Sequence, residues 1–204
     1  MRLTGAMLVT TTYLEQTSPT DLIPAATPAR PCRIERVGVV APEFCRFLYT
    51  AVGGDWYWTE RLPWTLAEWT AWLSRPGSET WVLRAADAPA GYVELDAQPG
   101  PHATQVEIAY FGLLPAFTGH GFGGHLLTTG LRHAWSLPDR WPGLLPVDRV
   151  WVHTCSLDSV PALANYQARG MRAYRKTEGV QELPPTPPGP WPGARATVPH
   201  SDTP

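Results

Sequence analysis

From Leu114 to Leu127 the sequence reads Leu-Pro-Ala-Phe-Thr-Gly-His-Gly-Phe-Gly-Gly-His-Leu-Leu, so that Gly119, Gly121, Gly123 and Gly124 crowd into one short bend. A β-like stretch (Val106 to Leu113) precedes it and an apolar helical pattern follows. Glycines there let backbone N–H groups approach a ligand, and the helix start adds the positive end of its dipole. A polyphosphate is the natural guest. As a P-loop the segment fails, because no Lys-Ser or Lys-Thr follows the glycines. Gly119, Gly121 and Gly124 do obey the G-x-G-x-x-G spacing of a dinucleotide site. That fingerprint belongs in a first βα unit, however, and the acid it needs further on would be Asp139, inside a Pro/Trp loop rather than after a strand.

A third frame fits better. Thr118-Gly119-His120-Gly121-Phe122-Gly123, with Leu126 and Leu127 after it, resembles motif A of the GNAT superfamily of N-acetyltransferases, [Arg/Gln]-x-x-Gly-x-[Gly/Ala], with Thr118 at the Arg/Gln position. Ser159-x-x-Ala162-x-x-x-Tyr166-x-x-x-Gly170-Met171 resembles motif B of the same family, Asn-x-x-Ala-x-x-x-Tyr-x-x-x-Gly-Phe, with Ser for Asn and Met for Phe. Two motifs in the correct order are far more specific than one, and the resemblance runs from Val37 to Lys176. Glu107-Ile108-Ala109-Tyr110-Phe111-Gly112-Leu113 looks like a bacterial small-molecule branch.

The resemblance implies an α/β GNAT fold: a mixed, mostly antiparallel twisted sheet of six to seven strands, flanked by about four helices, with a V-shaped splay between the fourth and fifth family strands. It implies acetyl-CoA as cofactor, held at Thr118, Gly119, His120, Gly121, Phe122, Gly123 and Gly124, with Ser159 in the same site. The oxyanion would be held by the backbone around Phe111, Gly112 and Leu113, and Tyr166 would protonate the departing thiolate.

Acyl transfer to an amine also needs a base, because only the neutral amine attacks a thioester and a free amine is mostly protonated at neutral pH. Two carboxylates flanked by apolar residues compete, Glu94 and Glu107. Alternation along strands puts Glu94 with Tyr92 and Asp96, and Glu107 with Ala109 and Phe111. If those faces coincide, the two carboxylates approach each other and one gains a raised pKa. Glu107 is favoured, since the family commonly carries its base on the fourth strand. His153 reads as core more readily than cleft, and His120 sits where it can touch phosphate. His120 and His125 are five apart, which is no metal-ligand spacing on a helix, so no metal is expected.

Ten tryptophans mark the chain, and Trp56, Tyr57, Trp58, Trp64, Trp69 and Trp72 lie close together, where the family builds its acceptor wall. Trp69, Trp72 and Leu73 form a helical stripe that reads as core. Trp56, Tyr57 and Trp58, next to Gly53-Gly54, read as the walls of an acceptor pocket for an apolar or aromatic amine, or for a cation over ring faces. Asp55, Glu60 and Arg61 are near enough to orient a polar group. The expected partner is a small-molecule amine attacked directly in a ternary complex. A non-catalytic acyl-CoA sensor and a protein lysine or N-terminal acetyltransferase remain the alternatives, and a homodimer stays open.

With 204 residues, 16 Lys plus Arg and 18 Asp plus Glu, the chain carries a net charge of −2 and no basic tract, which argues against nucleic acid or an anionic membrane as partner. Cys32, Cys45 and Cys155 are odd in number and scattered, as reduced thiols of a cytoplasmic protein would be. Neither a signal peptide nor a membrane span is legible. One domain is expected over residues 1–183 and an irregular or disordered Pro-rich tail over 184–204.

These residues must be positioned by a short series of elements. Strands are expected at Ala6 to Gln16, Cys32 to Val40, Glu79 to Ala86, Tyr92 to Gln98, His102 to Leu113, Val147 to Cys155 and Met171 to Thr177. Helices are expected at Pro42 to Val52, Thr65 to Ser74, Gly119 to Ser136 and Ser159 to Arg169, the last capped by Asp158 or Ser159. Family members often close the sheet with a further strand, and no segment after Thr177 reads as one.

Overall fold

The computed structural model describes residues 5–194. Seven strands form one sheet: β1 (Gly5–Gln16), β2 (Cys32–Arg36), β3 (Glu79–Ala85), β4 (Ala88–Pro99), β5 (Thr104–Leu113), β6 (Val147–Cys155) and β7 (Arg172–Leu183), in the order β2-β3-β4-β5-β6-β1-β7. All neighbours are antiparallel except β5 and β6. The helices are α1 (Pro42–Gly53), α2 (Leu66–Leu73), α3 (Phe122–Trp135), α4 (Leu137–Arg140) and α5 (Pro161–Ala168). The fifth beyond the expected four is a single turn that continues α3 after Ser136. Local chemistry sets the ends. Thr65 and Glu68 form a reciprocal capping box on α2, and Arg132 lies in the last turn of α3, where positive charge suits the dipole.

Apolar residues alternate on the strands so that both faces of the sheet are used. Val93, Leu95, Ile108, Val150, Val152 and Leu14 pack beneath Phe122, Leu126, Leu127 and Leu131 of α3. On the opposite face Val82 and Tyr92 meet Leu48 and Val52 of α1, and Trp69 of α2 packs with Cys45 and Tyr49. On this second face α1 packs against β4 and β5.

The closing strand comes from the other end of the chain. β1 lies between β6 and β7, antiparallel to both, pairing from Thr11–Cys155 to Gln16–Val150 on one side. On the other, β7 continues to Leu183, past the expected end at Thr177, because residues 178–183 have Gly5–Thr10 to pair with. Glu178, Gly179, Gln181 and Glu182 carry no apolar alternation, since both faces of this edge strand are wet. Residues 184–194 are irregular, tied by the Gly189 N–H donating to the Gly54 carbonyl at 2.9 Å. The rest of the expected tail, 195–204, lies outside the described residues.

Two departures from regularity shape the sheet's centre. Parallel pairing of β5 with β6 begins at Thr104–Val147 and stops at Glu107–Trp151, although β5 continues to Leu113 and β6 to Cys155. Beyond that point the strands diverge, and the inner edge of β5 has no strand partner among the described residues. A bulge lies at Ala109, where Glu94 faces Tyr110 but Leu95 faces Ile108. It reverses the alternation, so Phe111 joins Ile108 on the α3 face while Tyr110 joins Glu107 on the other. The expectation that Glu107 and Phe111 share a face is thereby corrected. Among the described residues no helix is long and apolar enough to cross a membrane.

Candidate active site

The divergence of β5 and β6 opens a cavity of about 990 Å³ that reaches both faces of the sheet. On the α3 side it meets Thr118, Gly119, Gly123, Gly124, Ser159 and Tyr166, and its waist is Phe111, Gly112 and Leu113. On the other side it is walled by Trp56, Tyr57 and Trp58, with Tyr110, Glu60 and His153.

The glycine bend takes backbone angles that favour glycine. Gly119 and Gly121 have φ of +78° and +79°, a region that side chains with a Cβ rarely adopt, and an added Cβ would meet nothing within 4 Å at either. The bend is therefore open. Gly121 caps α3 without any side-chain bond, and the first bond of the helix runs from His125 N–H to the Gly121 carbonyl. The N–H groups of residues 119–124 donate to no acceptor among the described residues. Such a row of unused donors at a helix start is an anion nest. Phe122 contributes only backbone here, because its ring is buried in the core. Thr118 turns its hydroxyl to the Pro115 carbonyl. Two arginines from outside the bend bring positive charge to it: Arg30 Nη1 lies 3.1 Å from His120 Nε2, and Arg169 Nη1 would lie 2.6 Å from a Cβ at Gly124. Neither is paired with a carboxylate among the described residues.

Tyr166 faces the cavity from α5, edge-on to Phe111 with ring centroids 5.9 Å apart. Burial pushes its phenol pKa far up, helped by the charge of Asp158, so the hydroxyl keeps its proton. The cap expected for α5 does not form. Val160 stands at that position, and the Asp158 carboxylate accepts instead from Thr154 Oγ1 (2.6 Å) and Cys155 N–H (3.0 Å).

The two carboxylates expected to approach each other lie apart in role. Glu94 is buried and does not line the cavity. Its oxygens accept from one nitrogen of Arg61 at 2.8 and 3.1 Å and from the Trp72 indole N–H at 2.8 Å. The register partner of Glu107 is Asp96, not Glu94. Glu107 also stays behind the wall, accepting from Gln98 Nε2 at 3.0 Å and standing 3.2 Å from His153 Nδ1. His153, expected in the core, lines the cavity with 48% of its side chain exposed.

The aromatic cluster divides in two. Trp56, Tyr57 and Trp58 line the cavity, Tyr57 at φ +61°. Trp64, Trp69 and Trp72 instead surround the protein's own Arg61, whose guanidinium lies 4.7, 5.6 and 4.1 Å from their ring centroids and 4.3 Å from that of Tyr110. The cation-over-rings arrangement read for an acceptor is here filled by an internal arginine.

His153, expected in the core, and Cys155, expected only as a reduced thiol, both line the cavity. A signal existed. Val150 and Val152 are apolar and buried, so the intervening residues, Trp151 and His153, must face the other way. Burial, reinforced by Asp158, raises the Cys155 thiol pKa, which leaves it a poor nucleophile. No cluster of His, Cys, Asp or Glu suited to a metal ion occurs among the described residues.

Residues 44–171 match the model of the acetyltransferase (GNAT) family. Among solved structures, a GCN5-related N-acetyltransferase from Kribbella flavida is 16% identical, with a TM-score of 0.55 over 88% of this chain and 60% of its own. Another from Sphaerobacter thermophilus is 17% identical, with a TM-score of 0.53 over 89% and 54%. An aminoglycoside acetyltransferase from an uncultured soil metagenomic sample, in complex with sisomicin, is 14% identical, with a TM-score of 0.51 over 68% and 85%. At these identities the likeness is one of fold. The chain spans between half and two thirds of the length of the first two. No curated protein matches.

Proposed function

The chain belongs to the acetyltransferase (GNAT) family, and we propose that it transfers an acetyl group from acetyl-CoA to a primary amine of a small molecule, by direct attack while both are bound. The observation that carries this reading is the open cavity between β5 and β6 beside a bend of unused N–H donors. The fit of the diphosphate rests on the same bend, which has donors, space and the nearby cations Arg30 and Arg169 in place of a long side chain at 118. Acetyl-CoA supplies an activated acyl carbon and a thiolate leaving group.

The chain's own residues do the rest. N–H groups of residues 119–124 fix the diphosphate, and the unpaired inner edge of β5 at Phe111, Gly112 and Leu113 faces the acyl oxygen as it gains charge. Tyr166, kept neutral by burial, gives its proton to the leaving sulfur. Apart from His153, the charged side chains lining the cavity are Asp55, Glu60 and Asp158, with no Lys or Arg, which suits a protonated amine as acceptor. The enclosing Trp56, Tyr57 and Trp58 favour a small molecule over a protein surface, and one fold neighbour is an aminoglycoside acetyltransferase.

Thiol release from acetyl-CoA, followed across a panel of mono-, di- and polyamines, tests the proposal. Amine-dependent release with a matching acetylated product is expected. Saturable cofactor binding with no release for any amine would instead make the chain a sensor.

A further inference from the structure

We infer that His153 is the general base of this reaction and that Glu107, hidden behind it, is a positioning residue. The inference rests on the proposed amine acetylation and adds a residue that the sequence pattern had assigned to the core.

The argument begins with what a carboxylate can do. An ionised carboxylate only accepts, so the 3.2 Å contact between Glu107 Oε1 and His153 Nδ1 places the ring proton on Nδ1. Nε2 then carries the lone pair, and it makes no hydrogen bond among the described residues. The ring lines the cavity while Glu107 does not. Glu107 is itself held by Gln98 Nε2 at 3.0 Å, so the tautomer and the ring orientation are both fixed from behind.

The neighbours on every side agree in sign. Facing the imidazole are Glu107 from β5, Asp158 from the turn after β6 and Glu60 from the connection between α1 and α2. Tyr13 of β1 packs at 5.9 Å and Trp151 of β6 at 6.2 Å between ring centroids. The Glu107 hydrogen bond, outweighing burial, raises the His153 pKa above its ordinary value of 6.5. A base so tuned takes up a proton more readily than free imidazole.

The proton ledger balances. His153 Nε2 takes one proton from the ammonium, and the neutral nitrogen bonds to the acyl carbon as the carbon–sulfur bond breaks. Tyr166 protonates the departing sulfur and regains a proton from the nitrogen, leaving amide and free thiol. His153 releases its proton to solvent through the open side of the cavity.

The test is the pH dependence of kcat/KM for acetyl transfer to whichever amine the panel identifies, with His153→Gln, Glu107→Gln and wild type compared. Wild type should show a limb rising with pH whose midpoint lies above 6.5. Glu107→Gln should move that limb to lower pH and reduce its plateau, and His153→Gln should abolish the limb with a loss of roughly 10²-fold or more. KM for acetyl-CoA should hold in both, and matching thermal unfolding would show that they fold. An unmoved limb in a folded His153→Gln protein overturns the inference while leaving the acetyltransferase reading intact. Failure of wild type to release thiol would strike that reading instead.

Discussion

Arg61 directs one guanidinium nitrogen at both oxygens of Glu94, at 2.8 and 3.1 Å, inside a box made by Trp64, Trp69, Trp72 and Tyr110. Both partners are buried, at 3% and 1% exposure, and the Arg61 N–H also donates to the Tyr49 hydroxyl at 3.2 Å. The pair ties the connection between α1 and α2 to the middle of the sheet, directly behind Tyr110 of the cavity wall. Removing one partner strands the other charge in a dry site. Glu94→Ala is therefore expected to lower unfolding free energy by about 3–5 kcal/mol, measured by urea denaturation. Replacing both residues by apolar ones of similar size should recover much of that loss. Retained stability with reduced kcat in Glu94→Ala would point to a catalytic Glu94.

Tyr166 makes a separate prediction, because its proposed role is to donate a proton rather than to hold the cofactor. Tyr166→Phe keeps the ring against Phe111 and removes only the hydroxyl. We expect kcat to fall roughly 10²-fold, within the usual range for a lost proton donor, with calorimetric affinity for acetyl-CoA unchanged. Full turnover in the variant removes Tyr166 from the acid role.

His133 governs stability rather than activity. Its ring stacks on Trp81 with centroids 3.6 Å apart, and burial together with Arg140 lowers its pKa to about 4. Between 6.5 and that value the unfolded chain takes up a proton that the folded chain refuses, so stability rises with pH across the window and is lost on acidification. Unfolding free energy at pH 4.5 and 7 should differ by about 2 kcal/mol more in wild type than in His133→Phe. Equal differences in the two proteins would refute this.

Part of the candidate site could be read from the chain because the features proposed to bind a diphosphate are local. The glycine bend and the motif around Tyr166 each lie within one connection and one helix, so their spacing alone places them. The base could not be read in this way. Which side Tyr110 and Phe111 take depends on the bulge at Ala109, and whether a cavity opens beside His153 depends on where β5 leaves β6, and both are properties of strand pairing across the sheet. The closing strand was hidden for a related reason. Ala6 to Gln16 is legible as a strand, but its place between β6 and β7 is a matter of topology. From the sequence Arg61 reads as a residue beside the acceptor pocket, because a charged residue beside a cluster of rings reads as solvated until the rings are seen to enclose it.

The central claim is that main-chain donors at the bend beside the β5–β6 opening hold coenzyme A. Calorimetric titration of wild type and Gly121→Val with acetyl-CoA tests it most directly, since Gly121 has φ +79° and an added side chain would stand in the open mouth of the bend. The account predicts saturable one-to-one binding by wild type and loss of that binding in a variant that still unfolds cooperatively. Undiminished affinity in Gly121→Val, or no binding by wild type, would contradict it.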